Sequence, residues 1–75
     1  MKPDYQDDIE GNDKNLYRMR IFNESDKITT AIHRVSISQG LEYEDSILTI
    51  NYPKDIDKID IINDLKSKIS HLKFL

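Results

Sequence analysis

Apolar side chains follow two different periods from residue 16 onward. Between residues 16 and 22, Tyr17, Met19 and Ile21 alternate with Arg18 and Arg20, the two-residue period of a strand with one buried face. Asn23-Glu24-Ser25-Asp26 is a turn cluster, and residues 28–38 after it are rich in β-branched side chains. A four-residue loop that sets Phe22 opposite Lys27 pairs Ile21 with Ile28, Met19 with Thr30 and Tyr17 with Ile32, all on one face. Val35 and Ile37 then fall on the opposite parity, and a bulge near His33-Arg34 would return them to the core. A helix over residues 27–36 is the competing reading, since Ile28, Ala31, Ile32 and Val35 also fit helical spacing behind Ser25. The Thr, Ile and Val content and the hairpin register favour strand.

Gln39-Gly40 marks a turn. Residues 41–45 read as a loop with Tyr43 tucked against the domain. Residues 46–52 form a third strand, with Leu48, Ile50 and Tyr52 inward and Pro53 ending it. The period then changes. Ile59, Ile62, Leu65, Ile69 and Leu72 recur at intervals of three and four, which predicts one amphipathic helix over residues 56–74. Asp57 is placed to cap it, with Asp60 at the third helical position and Ile56 set to staple onto Ile61. Asp57, Asp60 and Asp64 lie early and Lys66, Lys68, His71 and Lys73 late, matching the helix dipole, and Asp64–Lys68 is an i, i+4 pair.

These elements predict a small two-layer α+β domain over residues 15–75. A three-stranded antiparallel sheet (β-β-β-α) packs against one C-terminal amphipathic helix. The expected core is Tyr17, Met19, Ile21, Ile28, Ile32, Val35, Leu48 and Ile50, under Ile59, Ile62, Leu65, Ile69 and Leu72. Residues 1–14 offer only Tyr5 and Ile9 as sizeable apolar groups, so they read as a disordered acidic N-terminal arm that buries too little to offset its ordering entropy.

Charge sharpens that division. Residues 1–13 carry five carboxylates against Lys2, a net −4, which leaves +1 of the total −3 for the rest of the chain. A near-neutral domain lacks the basic stripe of a polyanion binder. The chain has no cysteine, which excludes disulfides, thiolate metal sites and thiol catalysis. No apolar run approaches the roughly 20 residues of a membrane span, and the N-terminus lacks a signal-peptide layout, so a cytoplasmic protein is expected. Abundant Ile, Lys, Asp and Asn beside a single Ala and a single Val match AT-rich coding, as in a low-GC bacterium, a phage or another mobile element.

Candidate chemistry is sparse. His33 on a strand and His71 near a helix end have no serine motif or glycine elbow beside them. The Asp55-to-Asp60 run lacks the Gly at position six and the Glu at position twelve that a calcium loop needs, since Asp60 and Lys66 stand there. Gly11 and Gly40 are too few for a phosphate loop. No catalytic, metal-binding or cofactor-binding residues are assigned, and no cofactor is expected.

What remains is surface. Arg18, Arg20, Arg34 and Tyr43 are the partner-binding candidates, because arginine and tyrosine are enriched in binding hot spots. Ile61, Phe74, Leu75, Phe22 and Leu41 lie outside the expected core, and the first three are the self-association candidates. With an open sheet edge they point to a homodimer or an obligate complex. The expected function is a small non-enzymatic protein-binding module, such as a mobile-element inhibitor or modulator of a larger host or defence protein. The alternative is a dimeric nucleic-acid-binding regulator using the arginine-bearing sheet face.

Overall fold

A computed structural model describes residues 2–72, the side chain of Asp13 excepted. The chain runs β1 (Tyr5–Glu10), one 3-10 turn (Asn12–Lys14), β2 (Leu16–Asn23), β3 (Lys27–Ser38), β4 (Leu41–Pro53) and α1 (Lys58–Ser70). The strands form one antiparallel sheet in the order β1-β2-β3-β4, and α1 lies across one face of it. The α+β class and the C-terminal helix are as expected, but the sheet has four strands, not three.

The added strand comes from the N-terminal segment, expected to be disordered. Its inner side chains Tyr5 and Ile9 pack at the margin of the core, opposite Ile21 and Tyr17 of β2. The Asp4 backbone N–H donates to the Ile21 carbonyl at 2.8 Å, and its carboxylate accepts the Asn23 N–H at 2.6 Å. Order here comes from pairing onto a strand that already has a core face, a non-local gain that local hydrophobicity does not report. The same holds for residues 41–45, expected to be a loop, which begin β4.

The β2–β3 hairpin is shifted from the expected register. Ile21 faces Thr30, Met19 faces Ile32 and Tyr17 faces Arg34, across a tight Ser25-Asp26 connection closed by Glu24 N–H to Lys27 carbonyl at 3.0 Å. A slip of two residues preserves every face assignment, which is why the apolar pattern did not separate the two registers. The irregularity lies on β4, where Ile47 is the extra residue between Leu48 (opposite Ile32) and Ser46 (opposite His33). β3 pairs with β2 without interruption through His33 and Arg34. Val35 and Ile37 therefore stay on the outer face, and Val35 is buried there, away from the helix-covered core.

That core is formed by Tyr17, Met19, Ile21, Ile28, Ile32 and Tyr52 beneath Ile61, Ile62, Leu65 and Ile69. The helix stripe is centred on Ile61, Leu65 and Ile69, four residues apart, and not on the series through Ile59. Ile59 is exposed, whereas Ile61, expected as surplus, is fully buried. Asp57 stands at the N-cap, its carbonyl accepting the Asp60 and Ile61 N–H groups, but its side chain makes no capping bond. Tyr52 donates its hydroxyl to Asp64 at 2.5 Å, and Asp64 also pairs with Lys68 at 2.8 Å. Burial raises the Tyr52 phenol well above its ordinary value. Gly11 passes so close to the Tyr17 ring that a Cβ there would lie 2.4 Å from Cε2. No helix among the described residues is long and apolar enough to cross a membrane.

Candidate interaction surface

The face of the sheet opposite α1 carries the alternate residues of each strand: Gln6 and Asp8, Arg18 and Arg20, His33 and Val35, Glu42 and Glu44. Neighbouring strands place these side chains within reach of one another. Arg18 grips Asp8 of β1 through Nε and Nη2 at 2.7 and 2.8 Å. It reaches over β3 to Glu42 at 3.1 Å and Glu44 at 3.4 Å on β4. Arg20 donates to Gln6 at 2.9 Å and makes a two-point contact with Glu44 at 2.7 and 3.2 Å. Its register partner on β3 is Ala31, whose short side chain leaves a path to Glu44. His33 Nδ1 lies 3.1 Å from both Arg20 Nη1 and Glu44 Oε1.

Two guanidinium groups thus lie among three carboxylates, and the arginines lie deeper. The Arg18 and Arg20 side chains are 12% and 19% exposed, against 38% for Asp8 and 51% for Glu42. The hydrogen bond from Arg18 holds the Asp8 carboxyl below its usual range. The two-point bond from Arg20, with His33 beside it, pulls Glu44 down to about 2. Asp8 and Glu42 in turn hold the Arg18 proton more tightly than in a free side chain. These are charge-assisted fork contacts of the stronger kind. The face turned to solvent is consequently acidic.

The second feature is the far end of the β3–β4 hairpin. The pairs Ser36–Tyr43, Ile37–Glu42 and Ser38–Leu41 continue beyond Val35, the last residue of β3 that pairs with β2. Gln39 and Gly40 turn the chain with φ of 54° and 78°, both in the left-handed region that a two-residue hairpin turn requires. Residues 41–46 are all exposed. Ile37, Leu41 and Tyr43 are 74%, 59% and 49% exposed, grouped within the last three residue pairs. At the base Arg34 pairs with Asp45 at 2.9 Å.

A cleft of about 180 Å³ opens where β1 begins, floored by Ile21, Ile56 and Ile61, with Lys58 4.4 Å above the Tyr5 ring. It is smaller than the roughly 300 Å³ at which small-molecule sites begin. No group of three His, Asp or Glu side chains among the described residues is arranged to hold a metal ion.

The sequence-predicted residues are thus divided. Arg18 and Arg20 lie together on the outer face, engaged with carboxylates. Arg34 and Tyr43 stand near one another on the opposite face of the projecting hairpin. Ile61 is in the core, and Phe74 and Leu75 lie outside the described residues. Leu41, expected as an apolar residue left outside the core, is exposed at the tip, while Ile37 as a tip residue and Asp8, Glu42 and Glu44 as arginine partners were missing from the sequence reading. The available signal was the matched spacing of Gln6-x-Asp8, Arg18-x-Arg20 and Glu42-x-Glu44. Comparison with protein-family models, with curated proteins and with solved structures finds no match.

Proposed function

We propose that this chain is a non-catalytic binding module that engages a protein partner with the projecting end of the β3–β4 hairpin. The observation that carries the reading is that Ile37, Leu41 and Tyr43 are all exposed where the hairpin extends past β2, Leu41 and Tyr43 on the helix side and Ile37 on the outer face. Apolar side chains concentrated on a projection are a mark of interaction surfaces, and tyrosine is a common anchor within them. The acidic outer face weighs against nucleic acid, since a phosphate would have to displace carboxylates already paired to Arg18 and Arg20. An occluding inhibitor or modulator of a larger protein, as composition favours for a mobile-element product, is the form this activity takes.

The test is a triple variant, Ile37→Ser, Leu41→Ser and Tyr43→Ser. None of the three belongs to the helix-covered core, so the far-ultraviolet spectrum and cooperative unfolding are expected to persist. Affinity capture from the native host should yield a partner with the wild-type chain and lose it with the variant. Equal capture of the same protein by both would refute the reading. Oligonucleotide binding that weakens steeply with salt would favour the nucleic-acid alternative.

A further inference from the structure

We infer that the partner contributes an extended segment in which basic and apolar residues alternate, added as a fifth strand along β4 over residues 41–45. The inference rests on the reading of the hairpin end as the contact surface and specifies how that surface is used.

β4 is an edge strand: β3 covers one side, and no strand among the described residues covers the other. Such an edge offers a row of backbone donors and acceptors, and extended segments bind by completing it. The opposite edge is poorly suited. β1 is six residues long against thirteen for β4, and short edge strands resist added pairing.

The side chains along β4 specify the occupant. Leu41 and Tyr43 project on the helix side of the sheet, beyond the end of α1, while Glu42 and Glu44 project on the outer side. Neighbouring strands align side chains on common faces. A strand laid beside residues 41–45 therefore sets alternate side chains against the apolar pair and against the carboxylates. Apolar residues suit the first row and lysine or arginine the second, where Glu42, already accepting from Arg18 but 51% exposed, has lone pairs left for a further donor.

A second copy fits this segment less well. Two-fold antiparallel pairing centred on Tyr43 would put Glu42 opposite Glu44 twice and Leu41 opposite Asp45 twice. Like charges directly opposite one another are destabilising. Charge complementarity thus selects a basic strand over self-pairing.

The experiment titrates the isotope-labelled full chain with a synthetic peptide, Arg-Val-Lys-Val-Arg-Tyr-Lys with blocked ends, and follows backbone amide shifts and hydrogen exchange. Two control peptides carry the same charges: one N-methylated throughout, the other with all basic residues grouped at one end. Saturable shifts and slowed exchange centred on residues 41–46, absent with both controls and weakened roughly tenfold or more by Glu42→Lys, would support the inference. An unchanged amide spectrum outside the hairpin end would establish that Glu42→Lys leaves the fold intact. Equal binding of either control, shifts spread over the acidic surface, or no binding would overturn it. Concentration-dependent β4 shifts without peptide would also overturn it, by assigning the edge to a second copy. Loss of partner capture by the tip variant alongside equal binding of the N-methylated peptide would sink strand addition while sparing the proposed function.

Discussion

Gly11→Ala sets two calculable effects against each other and asks whether the N-terminal segment is seated on the core. Gly11 has φ −99° and ψ −163°, a conformation alanine adopts freely. Considered through the unfolded state alone, the change should stabilise by about 0.4–1 kcal/mol. The folded state opposes it. The new Cβ would lie 2.4 and 2.7 Å from Tyr17 Cε2 and Cδ2 and 3.1 Å from Ile69 Cγ2, where carbon–carbon contacts are comfortable near 3.5–4.0 Å.

Relief requires about 1 Å of movement, and neither partner has room. The Tyr17 side chain is fully buried. The backbone beside Gly11 is held by the Ile9–Tyr17 and Glu10–Leu16 pairs, by Gly11 N–H to Asn15 carbonyl at 2.8 Å, and by the Asn12 amide on the Ser70 carbonyl. Overpacking of this kind costs about 1–3 kcal/mol, so the variant should be less stable by about 1–2 kcal/mol. In a domain this small that lowers Tm by roughly 5–15 °C. Urea unfolding followed by circular dichroism measures it. The Tyr17→Leu background should reduce the penalty by a measurable coupling term. Unchanged or increased stability of Gly11→Ala would refute the argument, because a detached N-terminal segment would feel only the unfolded-state term.

Other substitutions probe separate parts of the molecule. Tyr52→Phe removes the hydroxyl bound to Asp64 and should cost about 1 kcal/mol. Because folding raises the Tyr52 phenol, its contribution is fully present below an unfolded value of about 10 and is lost as pH rises through the folded value. The same substitution should therefore flatten the alkaline limb in pH-dependent unfolding. Folding depresses Glu44 to about 2 and lowers Asp8, so their contribution is present above their unfolded values and disappears as pH falls from about 4.5 toward 2. Glu44→Gln should reduce this acid dependence in urea titrations at stepped pH. Gln39→Asn places a residue tolerant of positive φ in the hairpin turn and should raise stability by about 0.5 kcal/mol, read by thermal unfolding.

Tyr17, Met19 and Ile21 were legible as an inward strand face because their neighbours are arginines, and Asp57 as the N-cap because the apolar period changes there. Side chains with a strong solvent preference on one face report their own orientation. Residues 5–10 interrupt that alternation, with Asp7 between Tyr5 and Ile9 on the inward face and Gln6 and Asp8 opposite the arginines on the outer one, and their order depends on β2 to supply both hydrogen bonds and guanidinium groups. The phase of α1 was misread because Ile59 and Ile61 are equally apolar, and only the sheet beneath decides between them. At the candidate surface, Arg18, Arg20 and Tyr43 stood out by residue type. Their carboxylate partners did not, because the Arg18–Glu42 contact spans 24 residues and exists only after the strands align.

Each strand pairs with the one preceding it in the chain, and this order bears on how the molecule assembles. Every connection in the sheet is a local hairpin or short turn, so pairing can propagate from one nucleus without closing a long loop, and loop closure is what slows most β-rich folds. The step that must wait is docking of α1, because its buried stripe has no surface to meet until at least β2 and β3 have aligned Met19 with Ile32. Until that docking the apolar face of the β2–β3 pair is uncovered, whereas the projecting β3–β4 end, which contributes little to the core, needs only its own two strands.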